Sequence, residues 1–205
     1  EYLHRVLGRL IGLMYFVPLV VFALRRMIAP QLLPTLILLL ILGGAQGLLG
    51  WYMVQSGLVD RPSVSQYRLT AHLGVAVAIY ALMMWVLLRV GAGLSPALKH
   101  IGLPGGVLLV GVYTLILSGG FMAGTDAGFA YPTWPLMCET FVPAGYYALG
   151  WQATFECAAT IYFNHRLLAY AATLLVIFFS VLSIRTVYSA LFWWLAMLMR
   201  GDIID

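Results

Sequence analysis

The chain has 205 residues, of which 63% are hydrophobic and only 9% charged. Soluble chains carry roughly 25% charged residues, so this composition excludes an ordinary soluble domain. A net charge of +4 raises nucleic acid as a partner, but the basic residues sit at the ends of apolar runs and in short loops. Membrane topology produces that distribution, and nucleic acid is set aside.

In chain order, the first apolar run covers Tyr2 to Leu24 and ends at Arg25-Arg26. Its acidic start and its length do not fit a secretory signal peptide. The second span is "LPTLILLLILGGAQGLLGWYMVQ", Leu33 to Gln55, and the third runs from Gln66 to Val90, beginning "QYRLTAHLGVAVAIYALMMW". After a Gly/Pro/Lys loop, the fourth covers Gly105 to Gly124. A long polar and aromatic loop, Thr125 to Glu156, leads to a fifth span from Cys157 to Ile184. A sixth stretch, Val187 to Met199, is short for a spanning helix, and the chain closes on "RGDIID". Runs near 20 residues predict spanning helices. The expected fold class is therefore all-α, a polytopic membrane helix bundle of five spans and a partial sixth. The first residue is Glu and not Met, so the sequence reads as a piece of a longer chain.

Lys and Arg in the short connections set the orientation. Arg25, Arg26, Arg89, Lys99 and Arg185 share one side, assigned as cytoplasmic or matrix, whereas the opposite loops carry Arg61 with Asp126, Glu139 and Glu156. Spans one, three and five then all descend from the outer face. His4 lies in the first turn of span one, His72 less than two turns into span three, and His165 about two turns into span five. Three of the four histidines thus share one depth, and His100 belongs to an inner loop beside Lys99, where it reads as solvated.

Ionisable groups within a membrane cost about 2.5–3.5 kcal/mol at the helix centre on insertion scales and by default mark function. Position near the helix ends lowers that cost, and interhelical hydrogen bonding is the plainer use of a membrane histidine. The spacing adds to the case. His4, Gly8 and Gly12 stack on one helical face, His72 is followed by Gly74, Ala76 and Ala78, and Ala169 and Ala172 lie beneath His165. Imidazole over small residues is one way a bundle holds haem; close helix packing is the other reading of the same residues. Arg5, Arg9, Arg68 and Arg166 sit at the outer ends of these helices, against the positive-inside trend. They fit either haem propionates, which Arg pairs in a bidentate fork, or lipid phosphate. Glu1, three residues before His4, is a candidate proton relay or iron-tuning carboxylate, or simply an acid at a helix N-terminus. Cys138 and Cys157 flank the outer loop, and both a disulfide and two independent buried thiols are open.

An internal repeat is visible. "HRVLGRLIGLMY" and "HRLLAYAATLLV" align without gaps, and "LILSGGFMAGTDAG" and "LILGGAQGLLGWYMVQSG" share a Gly-Gly step. Repeated halves in membrane proteins often place sites near their interface. The expected halves are residues 1–92 and 93–205.

The stretches "EYLHRVLGRLIGLMY", "QGLLGWYMVQSGL", "VSQYRLTAHL", "SGGFMAGTDAG", "TWPLM" and "NHRLLAY", in this order over Glu1 to Tyr170, resemble the haem A synthase family of mitochondria and alphaproteobacteria. The resemblance implies eight helices in two four-helix halves, so that this chain lacks the first helix and the last helix or helices. It implies oxidation of the C8 methyl of haem O to a formyl group, through hydroxylated haem, with water supplying oxygen for the haem A of cytochrome oxidase. It implies that His4 and His72 hold the substrate haem, that His165 is one iron ligand of a haem b, and that Glu1 is the catalytic glutamate of Glu-x-x-His. Implied partners are haem O, haem A, the lipid bilayer, an electron donor or acceptor protein, haem O synthase and cytochrome oxidase assembly factors. The implied location is the bacterial plasma membrane or the mitochondrial inner membrane, with the three histidines toward the periplasmic or intermembrane side. Departures are the absence of a histidine after His165 for the second haem b ligand, a tail unlike the family's seventh helix, Pro132 in place of Asn, and the cysteine pair. The chain alone is accordingly expected to be inactive. Two other classes fit the residues: a non-catalytic bis-histidine di-haem cytochrome, and a transporter or structural membrane protein whose histidines pack or relay protons.

Overall fold

A backbone in lipid has no water to satisfy its N–H and C=O groups, so an apolar run long enough to cross must bond internally as a helix. The computed structural model shows this for every long run. It describes residues 2–55, 64–91, 102–131, 133–146 and 150–200, of which 186–200 are described by backbone path alone. Glu1, Arg61, Lys99, His100 and Pro132 lie outside the described residues.

The helices are α1 (Tyr2–Leu24), α2 (Leu33–Gln55), α3 (Gln66–Gly91), α4 (Gly102–Gly124), the single turn α5 (Ala153–Glu156) and α6 (Ala158–Arg200). Among the described residues five helices are long and apolar enough to cross a membrane, which bears out the all-α polytopic bundle. Their ends follow local chemistry. Pro34 and Pro104 fall in the first turns of α2 and α4, where the missing N–H is tolerated. Arg26, at φ 54°, closes α1 in the left-handed region, with Met27 N–H reaching back to the Phe22 carbonyl at 2.9 Å.

The sixth apolar stretch is not a separate element. It continues the fifth span as one helix of 43 residues, because "SIRTVYSALFW" contains neither glycine nor proline to end it. The portion with the length and composition to span a membrane is Ala158–Arg185.

Chain neighbours are neighbours in space: α1 packs on α2, α2 on α3, α3 on α4, and α4 on α6. Such antiparallel succession brings the starts of α1, α3 and α6 to one end of the bundle. The α3/α4 contact is made by glycines. A Cβ at Gly120 would stand 2.7 Å from Thr70 Oγ1, one at Gly124 would stand 2.5 Å from Gln66 Cα, and one at Gly74 would stand 2.8 Å from Leu117 Cδ2. Small residues let membrane helices approach this closely, and van der Waals packing then holds them. The α1/α2 contact is tied by Tyr15, whose hydroxyl donates to the Leu36 carbonyl at 2.9 Å.

Most of the buried apolar side chains, including Ala127, Met137, Ala153, Ile161 and Phe163, gather where the loop after α4 folds onto the first turns of α6. The spanning helices, by contrast, present most of their large apolar side chains outward, as a surface made for lipid or further helices does.

Candidate functional site

Two histidine environments are built at that end of the bundle. His72 lies on the face of α3 turned to α2. Its Cε1 is 3.1 Å from where a Cβ on Gly50 would be, so only glycine at that position leaves the imidazole its full space. Gln46, one turn earlier on α2, donates its Nε2 to the His72 carbonyl at 2.9 Å and brings the same nitrogen to 3.4 Å from the ring Nε2. His72 Nδ1 and Gln46 Oε1 are both buried with no partner among the described residues. His4, exposed on α1, lies within electrostatic reach of the His72 ring.

His165 is held by α4 instead. Its Nδ1 is 2.7 Å from Ser118 Oγ, and its Cε1 is 3.6 Å from where a Cβ on Gly119 would be. Ser118 and Gln46 were not singled out from the sequence, although a polar residue inside an apolar span was the available signal.

The small residues divide. Added Cβ atoms at Gly8 and Gly12 meet nothing within 4 Å, so the face below His4 has room for a flat ligand. Gly74 instead packs against Leu117 and Tyr113 of α4, and Ala172 is buried in the bundle; these serve helix contact. The glycine that makes room for the His72 ring, Gly50, comes from the neighbouring helix and not from the histidine's own, and Gly119 of α4 lies at ordinary contact distance from the His165 ring.

The arginines also divide. Arg5 and Arg9 stand exposed on α1. Arg68 stacks over the Tyr52 ring at 3.6 Å and donates Nη1 to the Tyr52 carbonyl at 2.8 Å. Arg166 donates to Pro135 O, Thr133 O and Tyr162 Oη at 2.8–2.9 Å and lies 4.6 Å from the Tyr162 ring centroid. Nη1 and one Nη2 proton of Arg166 thus fasten the outer loop, and the other Nη2 proton goes to Tyr162 on α6 itself. Trp134 to Tyr170 and Tyr146 to Asn164 add further ties, at 2.7 and 2.8 Å. Cys138 and Cys157 are free thiols, as in the second of the two readings left open, but Cys138 is exposed and Cys157 only half-buried, so the thiols are not buried as expected.

Among the described residues no three of His, Cys, Asp and Glu come together. His4 on α1, His72 on α3 and His165 on α6 are single imidazoles on separate helices, the donor type used in axial ligation of a porphyrin iron. A partnerless buried ring nitrogen at His72, and a second ring with Nδ1 already occupied at His165, fit that use.

A family described as cytochrome oxidase assembly protein matches residues 1–204. The chain belongs to this family. Relatives in the cytochrome oxidase assembly group include a heme A synthase of Parvibaculum lavamentivorans, 45% identical over 180 residues covering 86% of this chain and 52% of that protein. One from Nitrosospira multiformis is 47% identical over 186 residues, 86% of this chain and 51% of that protein. One from Caulobacter vibrioides is 42% identical over 189 residues, 90% and 55%. The chain spans about half the length of the curated relatives it matches. No solved structure matches it.

Proposed function

We propose that this chain belongs to a haem A synthase, about half the length of which it spans by comparison with its relatives. The observation that supports the reading is the buried His72 ring with a nitrogen that has no partner among the described residues, together with an α1 face left open by Gly8 and Gly12 below His4. Membership of the cytochrome oxidase assembly family and the names of the relatives support it. On this reading residues 1–92 contribute the substrate side and residues 93–205 the haem b side.

The substrate is haem O. Its C8 methyl gains oxygen from water in two two-electron steps, first to the hydroxymethyl and then to the formyl group. The sum is methyl plus one water giving formyl, four protons and four electrons. Haem b, when bound, supplies one-electron redox chemistry.

The chain's own groups have separable roles. His4 and His72 would hold the substrate iron and fix where the C8 edge lies. Glu1, if it faces that edge, would take protons released by the oxidation. Arg5 and Arg9, exposed one turn apart on α1, would pair with propionates, and Arg68, with Nη1 given to Tyr52, keeps further N–H groups for the same task. Arg166 has less to give; its main work is to hold residues 133–135 over α6. His165 would ligate the haem b iron. The outward side is assigned to these histidines because Arg25, Arg26, Arg89 and Arg185 lie at the opposite helix ends. An electron donor or acceptor protein, haem O synthase and oxidase assembly factors are the partners such a reaction needs or serves.

The test is expression of the full-length protein in cells that make haem O, followed by haem extraction and chromatography. Haem A or its hydroxylated precursor, lost in His4→Ala, is the expected result. Haem b alone would overturn the synthase reading and leave a membrane cytochrome.

A further inference from the structure

An imidazole can ligate iron only through a nitrogen without a proton, so the tautomer of a ligand histidine has to be set by something. At His165 the groups that could set it are few. Nδ1 faces Ser118 Oγ at 2.7 Å. A serine hydroxyl has a single proton, and Ser118 directs it to the Leu115 carbonyl one turn back on α4, at 2.8 Å. With that proton used, Oγ meets the ring as an acceptor, and the proton in the Ser118–His165 contact has to come from Nδ1.

We propose that Ser118 is a positioning residue that fixes His165 as its Nδ1–H tautomer and leaves Nε2 as the iron-binding nitrogen. The assignment rests on the reading of His165 as a haem ligand, but the tautomer itself does not. Metal-ligating histidines characteristically donate their second N–H to an oxygen, which fixes ring orientation and raises donor strength. Here the whole relay, Nδ1–H to Oγ–H to a main-chain carbonyl, is anchored on a helix other than the ligand's own. Ser118 therefore supplies the hydrogen bond, and Gly119 beside it lies at ordinary contact distance from the ring edge, 3.6 Å for an added Cβ.

The first experiment uses the haem-free full-length protein in detergent, labelled with ¹⁵N at histidine and assigned with His165→Ala. The imidazole nitrogen shifts at high pH should show the Nδ1–H form for His165. An Nε2–H form would overturn the proposal, whether or not the protein binds haem.

The second compares Ser118→Ala and Ser118→Thr with the parent, by hemin titration, redox potentiometry and low-spin EPR. Ser118→Ala should bind the haem of this site roughly 10–100-fold more weakly and raise its midpoint potential, because a less electron-rich imidazole stabilises ferric iron less. Ser118→Thr keeps the hydroxyl and should restore both. Unchanged affinity and potential in Ser118→Ala, or a shift that threonine does not reverse, would overturn the positioning role. If His165→Ala retains its haem b, it is the ligand reading that fails, and the NMR result stands on its own.

Discussion

The His72 and His165 environments use the same kinds of part to opposite effect. Each ring lies against a glycine and a polar side chain of the preceding helix. At His165 the neighbour occupies Nδ1 and leaves Nε2 open; at His72 the Gln46 amide faces Nε2 and leaves Nδ1 buried without a partner. The orientation of Gln46 is not ambiguous, since its nitrogen and not its oxygen can donate to the His72 carbonyl at 2.9 Å. If both rings ligate iron through Nε2, His165 offers that nitrogen as it stands. The His72 ring has to give up a long contact, or turn, before its Nε2 can bind. A resident cofactor is served by the first arrangement, and a substrate that must arrive and leave is served by the second.

That contrast can be broken most directly by removing each ligand. His165→Ala should abolish one haem equivalent while leaving the haem held by His4 and His72, and His72→Ala should do the reverse; pyridine haemochrome spectra and extracted haem type read both. Loss of both haems from either folded variant would mean that the sites are not separate. Next in size is Gln46→Leu, which removes the amide from Nε2 along with a buried oxygen that has no partner. Haem affinity at His72 should hold or rise by up to about tenfold, opposite in sign to Ser118→Ala, because a competing donor is gone. A tenfold fall on hemin titration would mean that Gln46 positions His72 as Ser118 positions His165.

Two glycines five residues apart on α4 sharpen the distinction between packing and site. Gly124→Ala drives a methyl to 2.5 Å from the Gln66 backbone and should destabilise the protein by about 1–3 kcal/mol. Gly119→Ala meets His165 Cε1 at an ordinary 3.6 Å and should alter stability by no more than about 1 kcal/mol. Thermal unfolding in detergent measures both, and equal losses would erase the distinction.

The smallest effect concerns Cys157, which precedes the helix of His165. The Thr160 backbone N–H lowers its thiol below the usual range, with burial opposing. The alkylation rate should therefore rise toward its plateau at a lower pH than for a free thiol. By linkage, the stability this contributes is full above the unfolded thiol's value and fades as pH falls through the folded one. An alkylation profile matching a model thiol would remove the effect.

Helix positions were legible because length and apolarity decide them: Tyr2–Leu24 and Leu33–Gln55 were expected and found with the same bounds. The continuity of α6 was missed because Arg185 looks like a membrane boundary, although charge does not end a helix. Side-chain partners were harder to read. The sequence shows that Gly74 follows His72 within one helix, and the eye pairs them, yet Gly74 faces Tyr113 and Leu117 while Gly50 faces the ring. Which residue meets which across two helices depends on their relative register and rotation, and neither is written in the spacing along one strand of sequence. The same holds for Arg166, whose carbonyl partners are created only when the loop folds back.

The glycine contact between α3 and α4 has a further consequence. His72 lies between Thr70 and Gly74, which meet α4 at Gly120 and at Leu117, and Ser118 and Gly119 between those two positions hold His165. The two rings are thus mounted on either side of a single seam with almost no slack. Electron tunnelling decays exponentially with distance, so the packing that sets a separation also sets a rate. If two haems occupy these sites, the hop between them is timed by this seam, and not by the outer loop or by lipid.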